Sequence, residues 1–316
     1  MPSDSPLFES ALGRFPDSIR TDLEDIHRRG GVIPAERVVT WTKELQLNVE
    51  QLMMRLLPVA AAFSRPPLSG FHVGAVVQGA GAGWKHQGVG NLYLGANLEF
   101  ADLMPDAGVH AEQAAFNNAW LHDESAVQAL AVSAFPCGAC RQFLGELNQA
   151  SQDLAILVPV AGGRDEGRFQ SHSPASLLPQ PFPPQELGVS GNFLSQMSHG
   201  LLVATGDAEV RQALAAANAS YAPYTKSYAG VALATAEDAS ILGRYVECVA
   251  FTPSLSPLAS ALAQLNLQQP CGTAWAIARA TLVEVRGQSR QQALVQAMLA
   301  SVAPEVELRH VHCEGS

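Results

Sequence analysis

Three metal-ligating side chains within 31 residues restrict this chain more than any other feature: His110, Cys137 and Cys140. They sit in Val109-His110-Ala111-Glu112-Gln113 and in Pro136-Cys137-Gly138-Ala139-Cys140-Arg141-Gln142. One imidazole and two thiolates match a zinc centre that takes three protein ligands and leaves the fourth position for water. Glu112, two positions after the histidine, remains over to move protons to and from that water. Apolar periodicity predicts a helix over 110–121, and the run that follows Pro136 predicts a second over 137–149. Cys137 and Cys140 then share one face of a first turn, where the partial positive charge of the helix N-terminus favours thiolate. Two helix N-termini thus converge on the metal. Positions two apart in a regular helix point in nearly opposite directions, so Glu112 reaches the bound water only if His110 stands at the helix start.

Alone, a Cys-x-x-Cys pair reads as half of a closed structural zinc site, which needs a fourth His or Cys. His122 is the only candidate between the two halves. In this order the two segments match the His-x-Glu…Pro-Cys-x-x-Cys signature of zinc deaminases. Two further segments join them, Ser69-Gly70-Phe71-His72-Val73-Gly74-Ala75 and Gly95-Ala96-Asn97-Leu98-Glu99-Phe100. Together the four resemble cytidine deaminase in its long-chain, homodimeric bacterial form, over almost the whole chain.

The resemblance implies one Zn²⁺ per chain, and hydrolysis of cytidine and deoxycytidine to uridine and deoxyuridine with release of ammonia, as in pyrimidine salvage. It implies that Glu112 carries a proton to N3 of the base and later to the leaving amine. Asn97 and Glu99 fall to the ribose hydroxyls, Phe71 to the face of the base, and the backbone at Ala111 and Phe135 to its polar groups. A turn cap is the structural alternative for Asn97 and Glu99, and a core phenylalanine for Phe71. The family often has threonine before the Pro-Cys, where this chain has Phe135; a backbone contact survives that change. Phe182 corresponds to a position that closes over substrate, in its own or the partner's site. Arg141 either donates to a thiolate sulfur or makes a surface salt bridge. The alternatives to this activity are a zinc deaminase of another aminated nucleoside and a structural-zinc binding module.

With 316 residues, 47% hydrophobic and 15% charged, the chain has the composition of a packed two-domain protein. Its formal net charge of −10, with few and scattered basic residues, argues against nucleic-acid binding. No apolar run reaches the roughly 18 residues of a membrane span, and the first residues lack a signal-peptide pattern. The expected compartment is the cytoplasm. Five cysteines at irregular spacing do not form a disulfide framework.

Helical periodicity runs from Leu7 to Leu57, broken at Gly30-Gly31 and Pro34 into two main helices. Strands are expected over 71–78, 92–97, 129–135 and 154–160, with a Gly-rich hairpin after Gly79. Alternation of strands and helices implies a sheet flanked by helices. The Pro-rich segment 178–184 is neither helix nor central strand and reads as the interdomain connection. Beyond it the plan repeats. Ser64…Pro67…Gly74 lines up with Ser220…Pro223…Gly230 at an offset of 156, and Gly95, Glu99 and Pro105 with Gly243, Glu247 and Pro253 at 148. At 148, His110 meets Leu258 and Glu112 meets Ser260, so the second copy has lost its metal. The expected architecture is an α/β fold: a three-layer sheet flanked by helices, duplicated in one chain and preceded by a small helical domain. The expected divisions are 1–57 (helical), 58–188 (catalytic) and 189–316 (metal-free copy).

Overall fold

The computed structural model describes residues 5–81, 88–147, 153–160, 168–204, 207–287 and 289–315. The N-terminal part holds more pieces than the two helices expected. α1 (Pro6–Leu12) and α2 (Asp17–Glu24) lead through a 3₁₀ turn to the short strand β1 (Val32–Ile33), then to α3 (Ala35–Leu45) and α4 (Val49–Ala61). Gly30 and Gly31 both lie at positive φ, 58° and 74°, which turns the chain into β1. Asn48 caps α4 by accepting from the Gln51 N–H at 2.8 Å. The helix then continues through Pro58 to Ala61.

The first sheet contains β2 (Gly74–Gly79), β3 (Leu92–Ala96), β4 (Val127–Val132), β5 (Ala155–Pro159) and β6 (Phe169–His172), in the order β1-β3-β2-β4-β5-β6. Helices α5 (Ala111–Leu121), α6 (Gly138–Phe143) and α7 (Pro174–Leu177) accompany it. β2 starts three residues later than expected because the Asn97 side chain takes the Val73 N–H and donates to the Phe71 carbonyl in place of a ladder. The helix expected over 137–149 ends at Phe143 and tightens into a 3₁₀ turn over 144–146; residues 148 and 149 lie outside the described residues. The tip of the Gly-rich hairpin, 82–87, also lies outside them.

The second sheet, order β10-β9-β7-β8, is built from β7 (Ala229–Thr235), β8 (Ser240–Arg244), β9 (Ile277–Val285) and β10 (Leu308–Cys313). With α8 (Ala208–Asn218), α9 (Pro257–Gln268) and α10 (Gln292–Val302), it reproduces the first sheet's inner order β3-β2-β4-β5. Even the ladder irregularity repeats, at Gln78/Gly79 and at Ala234/Thr235.

Close backbone contacts fix the register of the duplication. A Cβ on Gly74 would lie 2.4 Å from Ala61 N, and one on Gly230 2.3 Å from Ala217 N, consistent with the offset of 156. A Cβ on Gly95 would meet Ala111 O and Ala115 N, and one on Gly243 would meet Pro257 O and Ala261 N. The helices therefore align at 146, not 148. Leu98 bridges Val109 as Val246 bridges Leu255, which puts a two-residue deletion in the second copy between these points. This corrects the pairing of the site residues: His110 meets Ser256 and Glu112 meets Leu258. Ser256 caps α9 by accepting from the Ala259 N–H, and Leu258 is fully buried, so neither supplies a counterpart of the His110 imidazole or the Glu112 carboxylate.

α5 and α9 meet between the two sheets, and one hydrophobic core runs through both copies. Because α5 is buried from Ala111 to Trp120, its polar side chains need partners. Asn117 donates to the Ser260 carbonyl at 3.1 Å and accepts from its hydroxyl at 2.6 Å. Cys248, Cys271 and Cys313 are free and buried, and burial pushes the Cys248 and Cys271 thiols up to about 12.

The copies are also joined through Glu146, which is fully buried and accepts from the Tyr221 and Tyr224 hydroxyls and the Val249 N–H, each at 2.7 Å. Removing the carboxylate orphans two buried donors, each costing about 1–3 kcal/mol, and the half-buried Tyr224 hydroxyl. Glu146→Ala should therefore lower unfolding stability by roughly 3–5 kcal/mol in urea titration. Tyr224→Phe, which removes one donor, should cost about 1 kcal/mol.

Candidate active site

Local chemistry places each ligand. Val109 exchanges both backbone hydrogen bonds with Leu98, at 2.8 and 2.9 Å, which pins the chain just ahead of α5. His110 follows in an extended conformation (φ −81°, ψ 150°) as the N-cap, outside regular helix geometry. Its N–H donates to Gln113 Oε1 at 3.2 Å, and Gln113 Nε2 donates to the Pro253 carbonyl of the second copy at 2.7 Å. The missing Cβ of Gly95 lets β3 lie directly on α5. Cys137 (φ −71°, ψ 171°) is the N-cap of α6, and its sulfur accepts from the Cys140 N–H at 3.5 Å. Pro136 thus precedes the helix rather than opening it.

His110 Nδ1 lies 3.4 Å from Cys137 Sγ and 3.3 Å from Cys140 Sγ, and the three ligand atoms all lie within 4.8 Å of one another. Tetrahedral zinc, with Zn–N of about 2.0–2.1 Å and Zn–S of about 2.3 Å, sets nitrogen and sulfur roughly 3.6 Å apart. The electrostatics also fit a cation. Hydrogen bonds from Cys140 and His110 hold the Cys137 thiol down to about 3, whereas contact with Cys137 and burial push Cys140 far up. A positive ion between the sulfurs removes that conflict and permits two thiolates. His122 sits at the far end of α5, bonded to the Asn118 carbonyl, roughly 18 Å along the helix. Among the described residues, no fourth His or Cys joins the cluster.

Glu112 occupies the first turn of α5 and is 5% exposed; burial raises its carboxyl pKa, opposed by the charge of His110 and a contact with Cys140. It lies in the wall of a cavity of about 310 Å³, within the range of small-molecule sites. His110, Cys137, Phe71, Asn97, Glu99, Ala111 and Phe135 line the same cavity, and Cys140 is buried behind it. Phe71 is 60% exposed, so it is not a core residue. Phe182 does not line the cavity; Gln142 holds it by donating to its carbonyl at 2.7 Å and accepting from its N–H at 3.0 Å.

Asn97 and Glu99 do the work of caps while facing the cavity. Glu99 accepts from the Leu68 and Ser69 N–H groups at 2.8 and 2.9 Å and from the Ser69 hydroxyl. Burial opposes ionisation there, but these donors hold the carboxyl below its usual value. Glu247 makes the same three bonds to Tyr224 and Thr225 in the second copy, where it is 1% exposed. Arg141 takes neither role expected of it. Its guanidinium donates to the Pro136 and Leu177 carbonyls at 2.8 and 3.2 Å and lies 5.2 Å from the Phe135 ring centroid, which braces the segment carrying Cys137. Ser69, Gln113 and Gln142 were not singled out from the sequence. Only Gln113 carries a signal there, as the glutamine three residues after a helix cap.

The chain is similar to known proteins over almost its whole length. The family described as "Cytidine and deoxycytidylate deaminase zinc-binding region" matches twice, over residues 47–152 and 175–297. A cytidine deaminase of Aliivibrio fischeri is 37% identical over 305 residues, covering 96% of each chain. One from Serratia proteamaculans is 38% identical over 83% of this chain and 84% of its own. A solved cytidine deaminase from Burkholderia pseudomallei, 26% identical, aligns over 42% of this chain and 97% of its own with a TM-score of 0.33.

Proposed function

The chain belongs to the cytidine deaminase family, and from that premise we propose that it hydrolyses cytidine and deoxycytidine to uridine and deoxyuridine, releasing ammonia. The observation that carries this reading is the convergence of His110, Cys137 and Cys140 within 4.8 Å, with Glu112 on the same cavity wall. His110, Cys137 and Cys140 would hold Zn²⁺, which when bound supplies a Lewis acid that makes an attacking water acidic near neutral pH. Glu112 accepts the proton of that water and delivers it to N3 of the base. The water oxygen bonds to C4 as N3 is protonated; Glu112 then takes the remaining hydroxyl proton and delivers it to the C4 amine, so that ammonia leaves as the C4–N bond breaks and the C4–O bond becomes the product carbonyl. A buried carboxyl of raised pKa suits such two-way transfer near neutrality.

Binding follows from the cavity's lining. Phe71 and Phe135 offer apolar surface to the base, and the Ala111 N–H and Phe135 carbonyl meet its polar edge. Glu99, kept ionised by its donors, accepts from a ribose hydroxyl, and Asn97 contributes the N–H that its bond to Phe71 leaves over. The site belongs to residues 58–188, and residues 189–316 serve as a scaffold without the catalytic metal. The chain acts as a cytoplasmic homodimer in pyrimidine salvage. Among the described residues, no helix is long and apolar enough to cross a membrane.

Phe182, exposed and pinned outside its own cavity, closes over the partner's substrate. Gln142→Ala should then raise KM by roughly 3- to 10-fold for loss of about 1 kcal/mol of ordering, with zinc content unchanged. Steady-state kinetics at fixed dimer concentration checks this, and an active monomer in sedimentation would refute the dimer reading. The activity itself is tested by the ultraviolet absorbance lost on deamination. Cytidine should be consumed, consumption should stop after chelation, and added Zn²⁺ should restore it. No consumption of either nucleoside by zinc-loaded protein would reject the proposal.

A further inference from the structure

A second cluster of metal-ligating groups lies in the second copy, on the sheet face that carries α9 and α10, and it is built from strands β9 and β10 rather than from helix N-caps. β9 and β10 are parallel neighbours, and His312 pairs in register with Glu284. His310, two residues earlier, points to the same face. Val283, Val311 and Cys313 pack on the opposite face, so Cys313 takes no part. The three ligand atoms of Glu284, His310 and His312 lie within 4.8 Å of one another.

The protein satisfies these groups only in part, through the contact of His310 with Glu284 and the Gln291 N–H. Among the described residues, ten buried side-chain atoms lack a hydrogen-bond partner, and three belong to this cluster: Glu284 Oε1, His310 Nε2 and His312 Nδ1. Orphaned buried polar atoms are rare, and their concentration at one point asks for a missing partner. Glu284 is 1% exposed, and its other oxygen accepts from the Gln291 N–H, the N-cap of α10, at 2.7 Å. That bond fixes the carboxylate and leaves Oε1 facing the imidazoles, as an outer-shell contact does for a metal ligand. His310 Nε2 approaches Oε1 to 2.9 Å without hydrogen-bonding alignment. An imidazolium–carboxylate pair would satisfy those two atoms at most and leave His312 Nδ1 orphaned.

We propose that Glu284, His310 and His312 bind a second, non-catalytic divalent transition ion that ties the edge strand β10 to β9. Two imidazoles and one carboxylate suit Zn²⁺ or its first-row neighbours, not Ca²⁺ or Mg²⁺, which take oxygen ligands. Neighbouring ligand atoms around such an ion lie about 3.4 Å apart, inside the 4.8 Å that encloses these three atoms. With three protein ligands and histidine access from the sheet edge, the ion exchanges more readily than one held by two thiolates.

The test uses full-length protein stripped with a chelator and titrated with Zn²⁺ alone, with bound metal measured by equilibrium dialysis. Cys137→Ala removes the first cluster from the measurement. That variant should still bind about one zinc per chain and gain thermal stability as zinc is added. Adding His310→Asn and His312→Asn should abolish both effects, while the two substitutions in the native background leave deamination unchanged. Co²⁺ gives an independent reading: the second ion should add d–d absorption without sulfur-to-cobalt charge transfer in Cys137→Ala. Zinc binding by Cys137→Ala that survives both asparagine substitutions would overturn the assignment. So would a folded Cys137→Ala protein that takes up no zinc or cobalt.

Discussion

Alanine at His110, Cys137 or Cys140 is expected to abolish zinc binding at this cluster and deamination together. Each side chain is one of only three ligands, and none has a substitute nearby among the described residues. Two ligands hold zinc far more weakly than three. In Cys140→Ala a half-exposed Cys137 thiolate would face His110 alone. Metal binding is linked to folding, so stability should fall with zinc content and the deficit should shrink when zinc is supplied in excess. Replacement of Arg141 should act more mildly. Arg141→Ala removes two bonds to backbone carbonyls that brace Cys137, and outer-shell losses of this kind typically cost about 10–100-fold in metal affinity or activity.

Glu112→Ala should behave in the opposite sense, keeping zinc while turnover collapses. Glu112 lies in the first turn of α5, but the three ligand atoms close on one another without it. Proton transfer by a positioned group contributes typically about 10²–10⁴-fold, and the loss should reach or pass the top of that range where one carboxyl serves several steps. Glu112→Gln preserves shape and removes the titrating group, so it should lose nearly as much. Substrate binding, read from KM or from competition by uridine, should change far less than kcat in both variants.

The clustering of these residues was legible from local spacing, because short motifs at helix starts specify their own geometry. His110 needed only to be an N-cap for Glu112 to share its cavity, and the backbone places it so. Longer-range features were less accessible. The register of α9 could not be fixed by matching letters, since both 146 and 148 align small residues with small residues. Only the approach of Gly243 to Pro257 and Ala261 decides it. β1 was hidden because two residues cannot declare a strand; it exists because β3 offers it an edge. β6, with its pattern Phe169-Gln170-Ser171-His172, lacks the apolar content that marked the inner strands. Arg141 looked like an electrostatic partner for sulfur. Two backbone carbonyls and an aromatic face, brought together by the turn at Pro136 and by α7, claim it instead.

The division of labour between ligands and proton carrier is the centre of the account, and one paired measurement addresses it. Zinc per chain and kcat for cytidine are determined on the same purified samples of the wild-type protein, His110→Ala and Glu112→Ala. The expected result is that His110→Ala loses the zinc of the His110–Cys137–Cys140 cluster together with turnover, whereas Glu112→Ala retains the wild-type zinc content with kcat reduced by about 10²–10⁴-fold or more. Loss of zinc from Glu112→Ala would make Glu112 a ligand and close the position left for water; near-normal turnover with zinc retained would remove Glu112 from the reaction.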